Sequence, residues 1–228
     1  MIPNNPVLTR IREALQNPAP MPGHHGASPA ANAVSGQPQK FTQWLPLVDD
    51  DLTGQLDLFA KNSADLKTEF HLCESRAEAI AKFQALAKEN DWKRVATHSG
   101  EHTDAAVAAL GLETVRTDAG YVVTELERCD AGITQCDALV AQTGSILITA
   151  LSAGGRALSV LPPHHVVFVT RDQMVPDLTA AYAVLRANYG SNFPSFMSFI
   201  TGPSRTGDIE RILVLGAHGP KRLTVYCW

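Results

Sequence analysis

The sequence has no C-x-x-C pair, no glycine-rich nucleotide loop and no long apolar run, and each absence removes a class of function. Its four cysteines, Cys73, Cys129, Cys136 and Cys227, are scattered through 228 residues. Zinc ribbons and ferredoxin-type clusters need thiolates grouped at short spacing, so separate, mostly buried free thiols are expected instead. The patterns G-x-S-x-G, G-x-x-x-x-G-K-[ST] and G-x-G-x-x-G do not occur. The usual signatures of hydrolases, P-loop NTPases and dinucleotide enzymes are therefore missing. Charge is modest, with 19 Lys and Arg against 23 Asp and Glu for a net charge of −4. Without a basic stripe, nucleic acid is not an expected partner. No apolar run approaches the roughly 20 residues that cross a bilayer, so no membrane span is expected. The N-terminus has neither the basic region nor the apolar core of a secretory signal, which makes the cytoplasm the expected compartment. What is present is an ordinary composition, 45% hydrophobic and 18% charged, on a chain long enough for one sizeable core.

Residues 5–16 read as a short helix, with Val7, Leu8, Ile11, Ala14 and Leu15 at helical spacing. The following segment, 17–40, holds five of the fourteen prolines and three glycines, with Met21 and Val34 as its sizeable apolar residues. That composition favours a mobile arm, so the expected organisation is an N-terminal helix and arm over 1–40 and a globular domain over 41–228. From Phe41 onward short apolar runs alternate with helical patterns. Helices are expected over 49–61, from a Ser75 cap to Glu89, over 103–110 and over 176–189. Strands are expected near 66–72, 94–97, 114–116, 166–170, 196–200 and 223–226. Two apolar runs, 138–142 and 145–149, are separated by Thr143-Gly144 and suggest a hairpin-like excursion. Such alternation implies an α/β fold, a parallel sheet covered by helices.

Several polar turns could carry chemistry. An apolar strand, 196–200, runs into Thr201-Gly202-Pro203-Ser204-Arg205-Thr206-Gly207-Asp208-Ile209-Glu210. If a helix starts there, its free N–H groups, Ser204, Thr206 and Arg205 would form an anion-binding corner; an ordinary serine or threonine cap is the plainer reading. Gln142-Thr143-Gly144-Ser145 and Gly154-Gly155-Arg156 are two further turns of this kind. Turns at the carboxyl ends of parallel strands converge on a crevice, where Arg156 and Arg205 could grip a small carboxylate or phosphate between them. His98-Ser99-Gly100-Glu101-His102 matches H-x-x-E-H, but Gly100 marks a turn where a zinc site needs one continuous helix. His164 and His165 border a buried strand, where hydrogen bonding within the core is the default role.

Three stretches together carry a resemblance: Ala131-Gly132-Ile133-Thr134-Gln135-Cys136-Asp137 leading to Ala141-Gln142-Thr143-Gly144-Ser145, then Leu161-Pro162-Pro163-His164-His165-Val166, then residues 199–210 with Leu215-Gly216-Ala217-His218-Gly219-Pro220. They resemble the lactate-utilisation protein C family, whose LUD domain is shared with an iron–sulfur subunit of the same pathway. The resemblance implies a three-layer α/β fold similar to the ribose-phosphate isomerase, glucosamine-phosphate deaminase and coenzyme A transferase group. It also implies an accessory subunit of a system oxidising L-lactate to pyruvate, non-catalytic or co-catalytic, alongside iron–sulfur and cysteine-rich partners. The clusters would lie in those partners, with no cofactor in this chain. Candidate anion or substrate contacts are Gln142, Thr143, Gly144, Ser145, Arg156, His165, Gly202, Ser204, Arg205, Thr206 and Asp208, with His165 at the position matching the family's histidine. Where such proteins commonly show Glu-Thr-Gly, this chain has Gln142, which cannot act as a general base. The alternative is a free-standing isomerase or transferase acting on a small anionic metabolite, for which Asp137, Asp208 and Glu210 remain as carboxylates.

Overall fold

The computed structural model describes residues 45–206, 214–215 and 219–228. The helix and arm expected over 1–40, together with Asp208, Glu210 and the turn expected at 216–218, lie outside the described residues. Strands β1 (Glu69–Leu72), β2 (Arg94–Thr97), β3 (Glu113–Arg116) and β4 (Ala131–Gln135) belong to the main sheet. Strands β5 (Ala138–Val140), β6 (Ser145–Thr149), β8 (Met174–Val175) and β9 (Met197–Ile200) form a smaller one. Strand β7 (His164–Val169) and β12 (Arg222–Cys227) return to the main sheet, and β10 (Arg205–Thr206) pairs with β11 (Val214–Leu215). Helices are α1 (Leu52–Asp65), α2 (Arg76–Glu89), α3 (Glu101–Leu110), α4 (Val123–Glu127) and α5 (Leu178–Tyr189).

The main sheet has six strands in the order β1-β12-β7-β4-β2-β3, and every neighbouring pair is parallel. All six residues of β7 are buried, as a strand covered on both faces requires. One face, through Val166, Phe168 and Tyr226, packs on Phe83 of α2 and Val107 of α3. The other, through Val167, Val169, Leu223 and Val225, packs on Phe59 of α1 and on Leu139, Ile146 and Ile148 of the smaller sheet. Helix α5 covers the far side of that smaller sheet, with Ala181 and Leu185 against Val140 and Leu147. The fold is thus the α/β class expected, a parallel sheet flanked by helices.

Local chemistry sets the boundaries. Asp51 accepts from Gly54 N at 2.9 Å and Asp177 from Ala180 N at 2.8 Å, so α1 and α5 begin at these carboxylate caps. Ser75 caps α2 as expected. Helix α1 runs four residues past its expected end, and the strand anticipated from Leu66 begins only at Glu69. The larger departure is at 201–206. No helix starts at Ser204; Arg205 and Thr206 instead pair antiparallel with Leu215 and Val214. The dipole-assisted corner expected of these residues is therefore replaced by a two-stranded ribbon.

Candidate functional site

The Gln142–Ser145 turn is a packing joint. Gly144 has φ +62°, and a Cβ there would lie 2.8 Å from Ser63 N at the end of α1. Asn62 Nδ2 donates to the Ala141 and Gln142 carbonyls at 2.9 Å each, and Gln142 Nε2 donates to Pro46 O at 3.0 Å. Ser145 Oγ meets Thr201 Oγ1 at 2.8 Å. Gly202, at φ +90°, approaches the Leu66 carbonyl so closely that a Cβ would sit 2.6 Å from it. The structure thus brings 142–145 and 201–202 together around the end of α1, where most of their polar groups are occupied by one another. Thr143 Oγ1 is the exception, buried without a partner among the described residues.

The two arginines do not converge. Arg156 Nη2 donates to Ser195 O at 2.8 Å and its guanidinium lies over the Phe196 ring. Arg205 Nη2 donates to Thr201 O at 3.3 Å. Those carbonyls flank opposite ends of β9, six residues apart, a span of roughly 20 Å for extended chain. One small anion cannot bridge both, so the expected two-arginine grip is not formed. Arg205 remains an exposed guanidinium.

The concave site that includes His165 lies between the two sheets. His165 on β7 and Leu223 on β12 form its floor, and Phe196, Ser198 and Ile200 along β9 form the facing wall. Ser159 and Val160 rim one side, and Gly202, Pro203, Ser204 and Pro220 the other, enclosing about 240 Å³. The Ser204 N–H is tied to Pro220 O at 2.9 Å, which holds that rim together. A larger groove of about 620 Å³ runs along α5 past Tyr182, Phe193 and Met197, but its polar groups, Thr179 and Arg186, are exposed and solvated.

His165 is 1% exposed. Its Nε2 meets Thr134 Oγ1 at 2.9 Å, while Nδ1 has no partner among the described residues. Burial, reinforced by neighbouring His164, pushes its pKa down to about 3, so the ring is neutral at physiological pH. A base that weak is poorly matched to proton transfer near pH 7, whereas a neutral ring can still donate or accept a hydrogen bond. Thr134 and Ser198 were not singled out by sequence reading. Strand alternation, which puts Gly132 and Thr134 on one face of β4, is the signal that could have found Thr134.

Gly132, which pairs with His165 across the strands, explains how the rim reaches the sheet. A Cβ at Gly132 would lie 2.2 Å from Leu158 O and 3.0 Å from Pro162 Cγ. Gly132→Ala should therefore lift the 158–162 loop from the sheet at a cost of about 1–3 kcal/mol, read from the urea midpoint. An unchanged midpoint would mean the loop has room to move.

Other sequence candidates fall elsewhere. Asp137 accepts from Ser152 Oγ and Tyr189 OH, and burial together with that carboxylate pushes the Tyr189 pKa up to about 12. It thereby ties the start of β5 to the turn after β6 and to the end of α5. His98 follows β2, Gly100 caps α3, and His102 packs edge-on against Trp228, so the H-x-x-E-H residues do not share one helix. Among the described residues no group of three or more His, Cys, Asp or Glu is placed to hold a metal ion. All four thiols are free and buried. Burial raises each, Cys129 to about 11 and Cys227 to about 12, which keeps them protonated. Among the described residues no helix is long and apolar enough to cross a membrane.

A family model described as LUD domain matches residues 56–227. A lactate utilization protein C from Halalkalibacterium halodurans is 34% identical over 108 residues, 46% of this chain and 47% of that protein. A protein of the same name from Bacillus subtilis is 35% identical over 100 residues, 43% of this chain and 42% of its own length. Another from Deinococcus radiodurans is 33% identical over 117 residues, 51% of this chain and 54% of its own. The matches span about half the length of these curated relatives. Among solved structures, a DUF162 family protein from Deinococcus radiodurans superimposes with a TM-score of 0.59 at 24% identity, over 80% of this chain and 99% of that one. That likeness is one of fold.

Proposed function

The chain belongs to the LUD domain family, and from that membership we propose that it serves lactate utilisation as an accessory subunit of a cytoplasmic system oxidising L-lactate to pyruvate. The observation that carries the reading is the family match over 56–227, joined to relatives that share the name lactate utilization protein C. Oxidising lactate to pyruvate releases two electrons, which need a carrier. The thiols of this chain are separately buried and held protonated. The reading therefore assigns the carriers to iron–sulfur and cysteine-rich partner chains. The chain's own part is to bind and orient. Arg205, exposed beside the Gly202–Ser204 rim, offers a guanidinium to a partner carboxylate or a small carboxylate or phosphate ligand.

Growth on L-lactate after deletion of the gene tests this, together with gentle purification of the tagged full chain from its host. Loss of lactate-dependent growth and recovery of iron–sulfur partners are the expected results. Undiminished lactate oxidation in the deletion strain would overturn the reading. Complementation with Arg205→Ala should lose a contact of about 1.5–3 kcal/mol, a tenfold or greater weakening of partner or ligand binding. Arg205→Lys should restore part of it, since charge returns without the planar fork. If Arg205→Ala instead lowers the melting temperature while leaving lactate-linked function per folded molecule intact, Arg205 is scaffold.

A further inference from the structure

We infer that the outer edge of β9 is a docking site for an extended acidic segment of a partner protein, which adds a strand to the smaller sheet and sets carboxylates on Arg156 and Arg205. This names the partner chemistry of the exposed Arg205 and rests on that part of the proposed function, but not on lactate. The smaller sheet runs β8-β5-β6-β9, so among the described residues β9 has a neighbouring strand on one side alone. The Ala150 N–H donates to Phe196 O at 2.9 Å, and these two residues stand opposite each other in the register that pairs Thr149 with Met197. Antiparallel partners alternate between bonded and unbonded pairs. Ser198 and Ile200 therefore turn their backbone groups to β6, while Met197 and Phe199 turn theirs outward. Their N–H and C=O groups form the open ladder that an added strand pairs with.

The charges at its two ends select the occupant. Arg156 Nη2 donates to Ser195 O at 2.8 Å and Arg205 Nη2 to Thr201 O at 3.3 Å. Each guanidinium is thereby fixed at one end of β9, exposed, with further N–H groups left for a carboxylate. Arginines too far apart to hold one small anion can each hold one side chain of a segment lying along the strand between them. A second copy fits poorly. Pairing β9 with itself antiparallel about Ser198 sets Ser195 against Thr201, and hence Arg156 of each copy beside Arg205 of the other, where like charges repel. The groove beside β9 suits the segment's apolar side chains. Tyr182 of α5 meets Phe199 edge-on at 5.6 Å, and Tyr182, Phe193 and Met197 line about 620 Å³ there. Alternate residues of an added strand share the face of Met197 and Phe199 and so point into this groove. The β1 edge of the main sheet lacks the pattern, since both signs stand beside it, Glu69 and Glu89 with Lys82 and Arg222.

The probe is a blocked peptide of about nine residues, long enough to run past both arginines, with alternating valine and threonine between paired glutamates at each end. Its counterpart carries lysines in place of the glutamates. Binding to the full chain is measured by calorimetry in low salt, with amide hydrogen exchange followed in parallel. The glutamate peptide is expected to bind about tenfold or more tightly than the lysine peptide, and to slow exchange at the Met197 and Phe199 N–H groups. Arg156→Ala and Arg205→Ala should each weaken binding about tenfold, and the double variant about a hundredfold, because sites this far apart add. Met197→Pro removes an outward N–H that β6 does not use and should abolish binding. If that variant does not fold, a glutamate peptide N-methylated at alternate central residues decides the matter, since it cannot complete the ladder. Arg128→Ala, exposed on another part of the chain, should leave binding unchanged. Equal binding of the two peptides, unslowed exchange at Met197 and Phe199, or no binding of either would each overturn the assignment. So would a chain that dimerises by itself and loses the dimer on Met197→Pro. Peptide binding with undiminished lactate oxidation in the deletion strain sinks the lactate reading alone, and absent binding with lost growth sinks this one alone.

Discussion

Lowering the pH from about 6.5 to about 4.5 should remove on the order of 5 kcal/mol of folding stability through His164 and His165 alone. Both rings are buried in β7, one facing each side of the sheet. Burial, aided by Arg222 and opposed by Glu69, lowers the His164 pKa to about 4; burial, aided by His164, lowers that of His165 to about 3. The unfolded chain takes up these protons near 6.5 and the folded chain does not. The stability is therefore complete above the unfolded pKa and declines as pH falls through the window down to about 4 and 3. Each histidine contributes about 1.4 kcal/mol per pH unit inside that window. The neighbours of His164 fix its tautomer: Thr224 Oγ1 donates to Glu69 Oε2 at 3.1 Å, which leaves that hydroxyl to accept from His164 Nε2–H at 2.8 Å. Burial also lowers the pKa of His98, which adds to the slope in the same direction. Melting temperature measured in steps from pH 7 to 4.5 checks this, with His164→Gln and His165→Gln each expected to flatten the decline. A melting temperature that stays level from pH 7 to 5 would show that the pair is not buried neutral.

Much of the fold could be read from local pattern because local physics decides it. Ser75 and the spacing of Ala79, Phe83 and Ala87 mark a capped helix with one inner face, and α2 is that helix. The Pro162-Pro163 break before a β-branched run marks a buried strand, found two residues longer at its start as β7. Strand β4 was harder, because Gly132 and the polar Thr134 and Gln135 weaken its pattern; its pairing with β2 and β7 stabilises it. The 201–206 segment misled for a related reason. A Gly-Pro turn followed by hydroxyls suits a helix cap equally well, and only the partner strand at 214–215 makes it a ribbon.

The candidate site was less legible than the fold. Its residues come from segments 132–134, 159–165, 196–204 and 220–223, and no periodicity links them. The Arg156–Arg205 pairing failed because their turns sit at opposite ends of β9, a fact of sheet order rather than of residue type. His165 was identified through resemblance, and Gly202 and Ser204 from their turn. What singles out His165 physically, a buried neutral ring with Nε2 held by Thr134 and Nδ1 unpaired among the described residues, depends on contacts between β4 and β7 and not on local pattern.

Phe83→Ala should cost about 3–5 kcal/mol, the range for deleting a large buried aromatic side chain from a packed core. Phe83 is fully buried on the α2 side of the main sheet. Its ring meets Phe168 at 5.2 Å and 90°, Trp92 at 6.0 Å and Tyr226 at 6.1 Å, all edge-to-face. Each such pair adds about 0.5–1.5 kcal/mol beyond area burial, so truncation loses these contacts along with the transfer energy. The neighbours that would have to collapse into the gap are themselves large rings fixed on β7, β12 and the turn after α2, which keeps relaxation small. Phe83→Leu keeps most of the volume and should cost visibly less. Urea titration gives the measurement, with the midpoint falling and the slope constant. A loss below about 1 kcal/mol for Phe83→Ala would mean that α2 packs loosely on the sheet.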